Sequence, residues 1–281
     1  MKPEDLDFIS ALLKERSGLV LTKDKAYLLE SRLMPVARKC GLKGLDELID
    51  TIRRTRPEPM IRDVTEAMTT NESFFFRDTK PFDLFRDHIL PHLLATRATK
   101  KSFRIWCAAA STGQEPYTLA IVLKELAAKF AGWRIEMVGT DLSREVLDRA
   151  KAGMYSQFEV QRGLPIQLLV KYFDKKEDQW QIKPDLRAMI QYKEYNLLND
   201  LKPLGNFDVV FCRNVLIYFD QPTKGKILDG IAKLIPEDGL LFLGGAETVL
   251  GISDKFKPVP GQRGVYCLTN APAGLLTAAK A

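Results

Sequence analysis

An apolar run, Arg104-Ile105-Trp106-Cys107-Ala108, breaks abruptly into Ala109-Ala110-Ser111 and then into the polar turn Thr112-Gly113-Gln114-Glu115-Pro116. The pattern predicts a strand, a tight loop of small residues and the start of a helix. No other stretch constrains the fold as strongly. A strand that feeds a helix through a short loop is the repeating unit of open α/β sheets, and those sheets take ligands at the carboxyl ends of their strands. Small residues such as Ala109 let a ligand approach the backbone, which a larger side chain would block.

The rest of the chain can be placed around that unit. Residues 103–108, 135–140, 190–195, 209–212 and 240–244 read as strands alternating with helices, which implies a mostly parallel sheet covered on both faces. Residues 3–68 read as helices only. The first, over 5–15, carries Leu6, Ile9, Leu12 and Leu13 at helical spacing. The second starts at Thr22-Lys23-Asp24-Lys25 and runs through Lys39 to a stop at Cys40-Gly41. Two more cover 44–53 and 59–68. This predicts an all-helical N-terminal domain over 1–70. Thr69 to Ser73 breaks the pattern as a linker, and a connecting helix follows near 81–94, so 71–100 joins the two parts. An α/β domain then fills 101–270. Within it, residues 155–188 fit no simple crossover and read as an inserted subdomain. Residues 271–281 read as a loose tail.

Composition removes several function classes. No stretch approaches the ~18–20 apolar residues of a membrane span. The acidic start, Met1 to Asp7, is not expected to be a signal peptide. Cys40, Cys107, Cys212 and Cys267 show no paired spacing, so neither disulfides nor a zinc site is expected, and a cytoplasmic location fits. A net charge of +6 on 281 residues permits an acidic partner. Without a basic run or a nucleic-acid motif it does not indicate DNA or RNA. His88 and His92 stand four apart with Pro91 between them and are read as a satisfied or exposed surface pair, with no metal expected.

The loop lacks the G-x-G-x-x-G that a dinucleotide pyrophosphate requires. S-adenosylmethionine has no phosphate, and small residues of several kinds suffice for it. Asp141 ends the second strand, where a carboxylate can accept from ribose hydroxyls; it could equally cap the following helix. Glu115 could serve the ligand or simply favour the helix dipole. Asn196, after the third strand, could meet an adenine edge or form a plain turn. Arg213, Asn214 and Tyr218 emerge together after the central strand.

Taken in order, these stations resemble the CheR family, the chemotaxis receptor glutamate methyltransferases of bacteria. The matching pieces are Thr70-Asn71-Glu72-Ser73-Phe74-Phe75-Phe76-Arg77, Trp106 to Tyr117, Thr140-Asp141, Asn196-Leu197 and Cys212-Arg213-Asn214-Val215-Leu216-Ile217-Tyr218-Phe219. The resemblance runs from residue 5 to about 268. It implies a Rossmann-like S-adenosylmethionine-dependent methyltransferase sheet with a small β insertion behind a helical domain. It also implies cofactor contacts at Asn71, Ser73, Arg77, Glu115, Asp141, Asn196, Leu197, Arg213 and Asn214, with Ala109 in the loop. Composition alone would leave Asn71 and Ser73 as linker polars.

The implied reaction moves a methyl group onto a glutamate carboxylate of a chemoreceptor, forming a methyl ester and S-adenosylhomocysteine. Arg77 and Tyr218 are the groups expected to orient the acceptor. Lys23, Lys25, Arg32, Arg38, Lys39 and Lys43, around the second helix, are expected to meet the acidic methylation helices of the receptor. The turn Phe173 to Trp180 is short and has no Gly, unlike the loop with which some members dock a receptor pentapeptide, so no such tether is expected. The protein is expected to act as a monomer. The competing readings are a small-molecule methyltransferase and a non-catalytic S-adenosylmethionine-binding scaffold.

Overall fold

A computed structural model describes residues 2–22 and 25–275. The chain forms two units, Met1–Thr70 with Tyr218–Lys224, and Asn71–Ile217 with Gly225–Ala281.

The first unit is built on α1 (Pro3–Ser17), α2 (Tyr27–Lys39), α3 (Leu45–Thr55) and α4 (Glu58–Met68). Pro3 opens α1, where its missing N–H costs nothing, and Asp5 accepts from the Lys2 N–H at 3.0 Å. Gly18, at φ +76°, ends it. The stripe of Ile9, Leu12 and Leu13 is buried against Leu33, Val36, Leu48, Ile52 and Val64. The described second helix covers Tyr27–Lys39. Its expected start at Lys23 and Asp24 lies outside the described residues. It ends as expected, with the Gly41 N–H bonded to Arg38 O and the Leu42 N–H to Ala37 O.

The second unit opens with α5 (Lys80–Leu84), a π turn (Phe85–Ile89) and α6 (Leu90–Thr96). The sequence read this as one plain helix near 81–94. Pro91 has no N–H for Asp87 O and its ring crowds that carbonyl, so the preceding turn widens. β1 (Ser102–Ala108) leads into α7 (Gln114–Glu125), and β2 (Arg134–Asp141) into α8 (Arg144–Ala152). The insertion follows. It holds β3 (Met154–Ser156), α9 (Gln157–Gln161), α10 (Ile166–Tyr172), β4 (Phe173–Lys176) and β5 (Gln179–Ile182), its strands forming a small antiparallel sheet in the order β3-β5-β4. α11 (Pro184–Arg187), β6 (Ile190–Glu194), β7 (Val209–Cys212), α12 (Gln221–Ala232), β8 (Leu240–Leu243), β9 (Phe256–Pro258) and β10 (Val265–Leu268) complete the chain.

The main sheet runs β6-β2-β1-β7-β8-β10-β9. β1 pairs in parallel with β2 up to Ala108↔Thr140 and with β7 up to Cys107↔Phe211, while β10 runs antiparallel between β8 and β9. The expected α/β class therefore holds. β9 and β10 are additions to the five strands read from sequence. They are short and have no helix between them to set up an alternation. Ala271, expected to be loose, is buried, and residues 276–281 lie outside the described residues. The parallel registers place Ala109, Asp141, Tyr195, Arg213 and Gly244 beyond one edge of the sheet, at the carboxyl ends of adjacent strands.

Candidate functional site

The loop after β1 is held in an unusual backbone state. Ala109, Ser111 and Gly113 take φ of +57°, +51° and +93°. For the two non-glycine residues that conformation costs about 1–3 kcal/mol each, and it persists only where the surroundings enforce it. Here the Ala110 N–H donates to Thr140 O at 2.8 Å, and the Ser111 N–H to Asp141 Oδ2 at 2.9 Å. The Ser111 hydroxyl donates to Asn71 O at 2.8 Å, bringing the predicted linker residue Asn71 to the loop. Gly113 has a further reason to be glycine: a Cβ there would stand 2.7 Å from the Tyr192 hydroxyl.

Asp141 is nearly enclosed, and both its oxygens accept backbone N–H groups, Oδ2 from Ser111 and Oδ1 from Ser143 at 3.0 Å. It does not cap α8; Ser143 occupies that N-cap position. The carboxylate is thus fixed between two strand ends. Tyr195 N–H donates to Asp141 O at 2.8 Å, which sets Asn196 and the buried Leu197 beside it. Asn196 Oδ1 accepts from the Leu198 N–H at 3.0 Å, the turn-forming geometry weighed as its alternative.

Arg213 is the charge centre. Its side chain is 1% exposed, with Nη1 on Glu115 Oε2 at 2.8 Å and Nη2 on Asp78 Oδ2 at 2.7 Å. Nη2 also donates to Arg77 O at 3.0 Å, while Nε is buried with no hydrogen-bond partner among the described residues. Burial pushes the Glu115 carboxyl up, and the Arg213 guanidinium pulls it back. Asp78, the neighbour of Arg77 in the chain, pairs with Arg213. The Arg77 side chain donates to Glu72 O at 2.9 Å and lies over the Phe74 ring at 5.4 Å. Phe76, Asp78 and Thr79 around it have φ of +53°, +67° and +49°. Ser73 is half-buried in the same segment.

Sequence reasoning missed Glu247. Its enclosed carboxylate accepts from the backbone N–H of Asn214 at 2.7 Å, Val215 at 2.9 Å, Ile217 at 3.3 Å and Gly244 at 2.7 Å. It therefore shapes the turn that carries Asn214, itself at φ +60°. The available signal was the one used for Asp141, an acid just past a strand end.

Tyr218 groups with the helical unit, where its carbonyl accepts from the Val20 N–H at 2.9 Å. Of the basic set, Lys23 lies outside the described residues. Lys25, Arg38 and Lys43 are exposed. Arg32 is not a free surface charge: it donates to Met68 O, Thr69 O and Thr70 Oγ1 at 2.8, 2.9 and 3.2 Å, closing the end of α4. Lys39 pairs with Asp63 at 2.8 Å. The histidines are half-buried, His88 in the widened turn and His92 on α6. His88 Nδ1 has no hydrogen-bond partner among the described residues, while His92 Nε2 lies 3.6 Å from Asp238 Oδ2.

The donor set suits a cationic, phosphate-free adenosine ligand. Small residues line the loop, and fixed carboxylates at Asp141 and Glu115 can meet hydroxyls and positive charge. Residues 71–265 match the family model "CheR methyltransferase, SAM binding domain", and residues 4–69 match "CheR methyltransferase, all-alpha domain". "Chemotaxis protein methyltransferase 1" of Pseudomonas aeruginosa is 38% identical over 265 residues, covering 93% of this chain and 96% of that protein. "Chemotaxis protein methyltransferase 1" of Vibrio cholerae is 36% identical, covering 90% of this chain and 92% of that protein. "Chemotaxis protein methyltransferase" of Escherichia coli K12 is 33% identical, with coverage of 93% and 89%.

Proposed function

The chain belongs to the CheR methyltransferase family, and on that premise we propose that it methylates glutamate side-chain carboxylates of chemoreceptors. Its cofactor is S-adenosylmethionine, and it works in chemotaxis as a methyltransferase; the small-molecule and scaffold readings are not favoured. The observation that carries the glutamate reading is the composition of the site. The carboxylates beside the loop are already engaged, Glu115 and Asp78 by Arg213 and Asp141 by two backbone N–H groups, which suits an acceptor that brings no proton to remove.

When bound, S-adenosylmethionine supplies a methyl group on a positive sulfonium. A glutamate acceptor is already ionised at neutral pH, so the protein has only to align it and exclude water. Asp141, preset by two N–H groups, is assigned to the ribose hydroxyls. Glu115 is assigned to positive charge on the ligand, held in place by Arg213. Asn71, Ser73, Ala109, Asn196, Leu197 and Asn214 complete the cofactor set. Arg77 is assigned to the acceptor carboxylate, which its planar fork can hold by two hydrogen bonds. Its bonds to Glu72 O and the Phe74 face already restrain it. Tyr218 is the second orienting group.

The receptor is assigned to the exposed cations Lys25, Arg38 and Lys43 of the helical domain. The insertion's two-residue hairpin turn, Glu177-Asp178, supports docking without a pentapeptide tether. The reading places the protein in the cytoplasm; among the described residues no helix is long and apolar enough to cross a membrane. Transfer of a tritiated methyl group to a receptor cytoplasmic fragment tests the proposal. Base-labile label on the fragment is the expected result. Base-stable label, or label on small molecules only, sinks it.

A further inference from the structure

The insertion grips both segments assigned to the cofactor. Tyr155, on β3, is buried, and its hydroxyl donates to Thr112 O at 2.7 Å, inside the strained loop. The same ring meets Phe75 edge-on at 5.0 Å. Phe75 also packs edge-on against Phe173 of β4 at 5.5 Å. Just past α9, Arg162 pairs with Glu72 at 2.6 Å and lays its guanidinium over the Phe74 ring at 4.2 Å. Gly163 then passes so near the linker that a Cβ would stand 2.1 Å from Phe75 O, and its φ of +87° suits glycine alone. Glu72, Phe74 and Phe75 alternate with, or neighbour, Asn71, Ser73 and Arg77.

We propose that the insertion acts as a clasp for the cofactor site, with Tyr155 and Arg162 as positioning residues that fasten segment 71–77 beside loop 109–113. The inference rests on the reading that these two segments hold S-adenosylmethionine. Neither segment lies in a sheet ladder or a helix, and both carry non-glycine residues at positive φ. Direct links between linker and loop–helix include Ser111 Oγ to Asn71 O at 2.8 Å and Phe76 N–H to Thr118 Oγ1 at 3.2 Å, and the insertion adds its own contacts to both. Segments of this kind lose freedom when a ligand binds, and a scaffold that holds them beforehand lowers that cost. The Arg162–Glu72 pair is 41% and 55% exposed, so as a surface ion pair it adds little to folding. Its effect is therefore expected in ligand affinity.

The test uses the full chain, calorimetric titration with S-adenosylhomocysteine, the thermal midpoint, and steady-state methylation of a receptor fragment. Tyr155→Phe keeps the ring and removes only the donor; Arg162→Ala removes the exposed grip. Each is expected to weaken S-adenosylhomocysteine binding and raise KM for S-adenosylmethionine about 3- to 10-fold, the worth of roughly one hydrogen bond. KM for the receptor fragment stays unchanged, and Arg162→Lys restores part of the affinity. If Tyr155→Phe fails to fold, the exposed Arg162 variants give the same reading alone. Folded variants that bind S-adenosylhomocysteine as tightly as wild type overturn the clasp. So does a rise in receptor KM with cofactor affinity intact. Failure of the wild-type chain to bind S-adenosylhomocysteine would instead overturn the cofactor assignment beneath it.

Discussion

Arg97 and Arg213 are both enclosed arginines bound to two carboxylates, and they mark opposite ends of the same strand, β7. Arg97 serves the amino end. Its Nε meets Asp208 at 2.7 Å, and Nη1 and Nη2 fork onto Asp238 at 2.6 Å each. Nearby, Arg104 Nε meets Glu136 at 2.9 Å. At the carboxyl end Arg213 holds Glu115 and Asp78 through separate nitrogens, and its Nε has no acceptor among the described residues. An enclosed N–H without a partner costs about 1–3 kcal/mol. Every nitrogen of the first arginine is bonded to a carboxylate, and its geometry is that of a fastener. The second is set among left-handed turns and leaves bonding capacity over, as expected where a ligand must be met.

Removing the two arginines is the sharpest way to break this comparison. Arg97→Ala and Arg213→Ala should each cost about 3–5 kcal/mol of stability, because each strands one enclosed carboxylate, Asp208 in the first case and Glu115 in the second. Only Arg213→Ala should also abolish S-adenosylmethionine binding in calorimetry at a temperature where the variant stays folded. Equal loss of binding in Arg97→Ala would end the distinction.

A smaller effect is expected at Asp141. Asp141→Asn puts an NH₂ where a backbone N–H now donates, and should weaken S-adenosylmethionine binding about 100-fold, with little effect on receptor KM. Arg77→Ala should lower methylation turnover about 30-fold, the worth of one or two charge-assisted hydrogen bonds, with the thermal midpoint held. Turnover at the wild-type rate would remove Arg77 from the chemistry.

Weaker still is the charge reversal of Lys25 and Arg38 together. It should raise receptor KM about 3- to 5-fold at low salt and less at high salt, leaving cofactor affinity alone. Arg32 is unsuitable for this test because it closes α4.

The smallest effect concerns pH at the amino end. Burial holds His92 below its usual value of 6.5, against the pull of Asp238 at 3.6 Å. The unfolded chain takes up that proton first, so stability should fall as pH drops through 6.5 towards the lowered folded value. His92→Gln should flatten the difference in thermal midpoint measured between about pH 7.5 and about pH 5.5. An unchanged slope would mean another group carries the dependence.

Part of the candidate site was readable because its residues obey a positional rule. Asp141 ends a strand and Ala109, Asn196 and Arg213 follow one, and strand ends show as breaks in an apolar pattern. Glu247 obeys the same rule but stands behind Gly244-Gly245-Ala246, far enough from Leu243 to read as an ordinary loop acid. Asn71 and Ser73 obey no local rule; only the resemblance selected them. The positive φ of Ala109, Ser111, Phe76 and Asp78 left no trace in residue type, since glycine is the usual marker of that conformation.

By itself the sequence determined the class of fold, five of the seven strands of the main sheet and the end of the sheet where a ligand belongs. Those follow from periodicity and from turn residues, which act over a few neighbours. Tertiary structure alone decided which charge meets which. Asp78 and Glu115 converge on Arg213 from 135 and 98 residues away, and Arg32 reaches back from α2 to close α4. It also decided that the insertion holds the loop through Tyr155. Contacts of that range depend on how whole elements pack, and no local pattern records them.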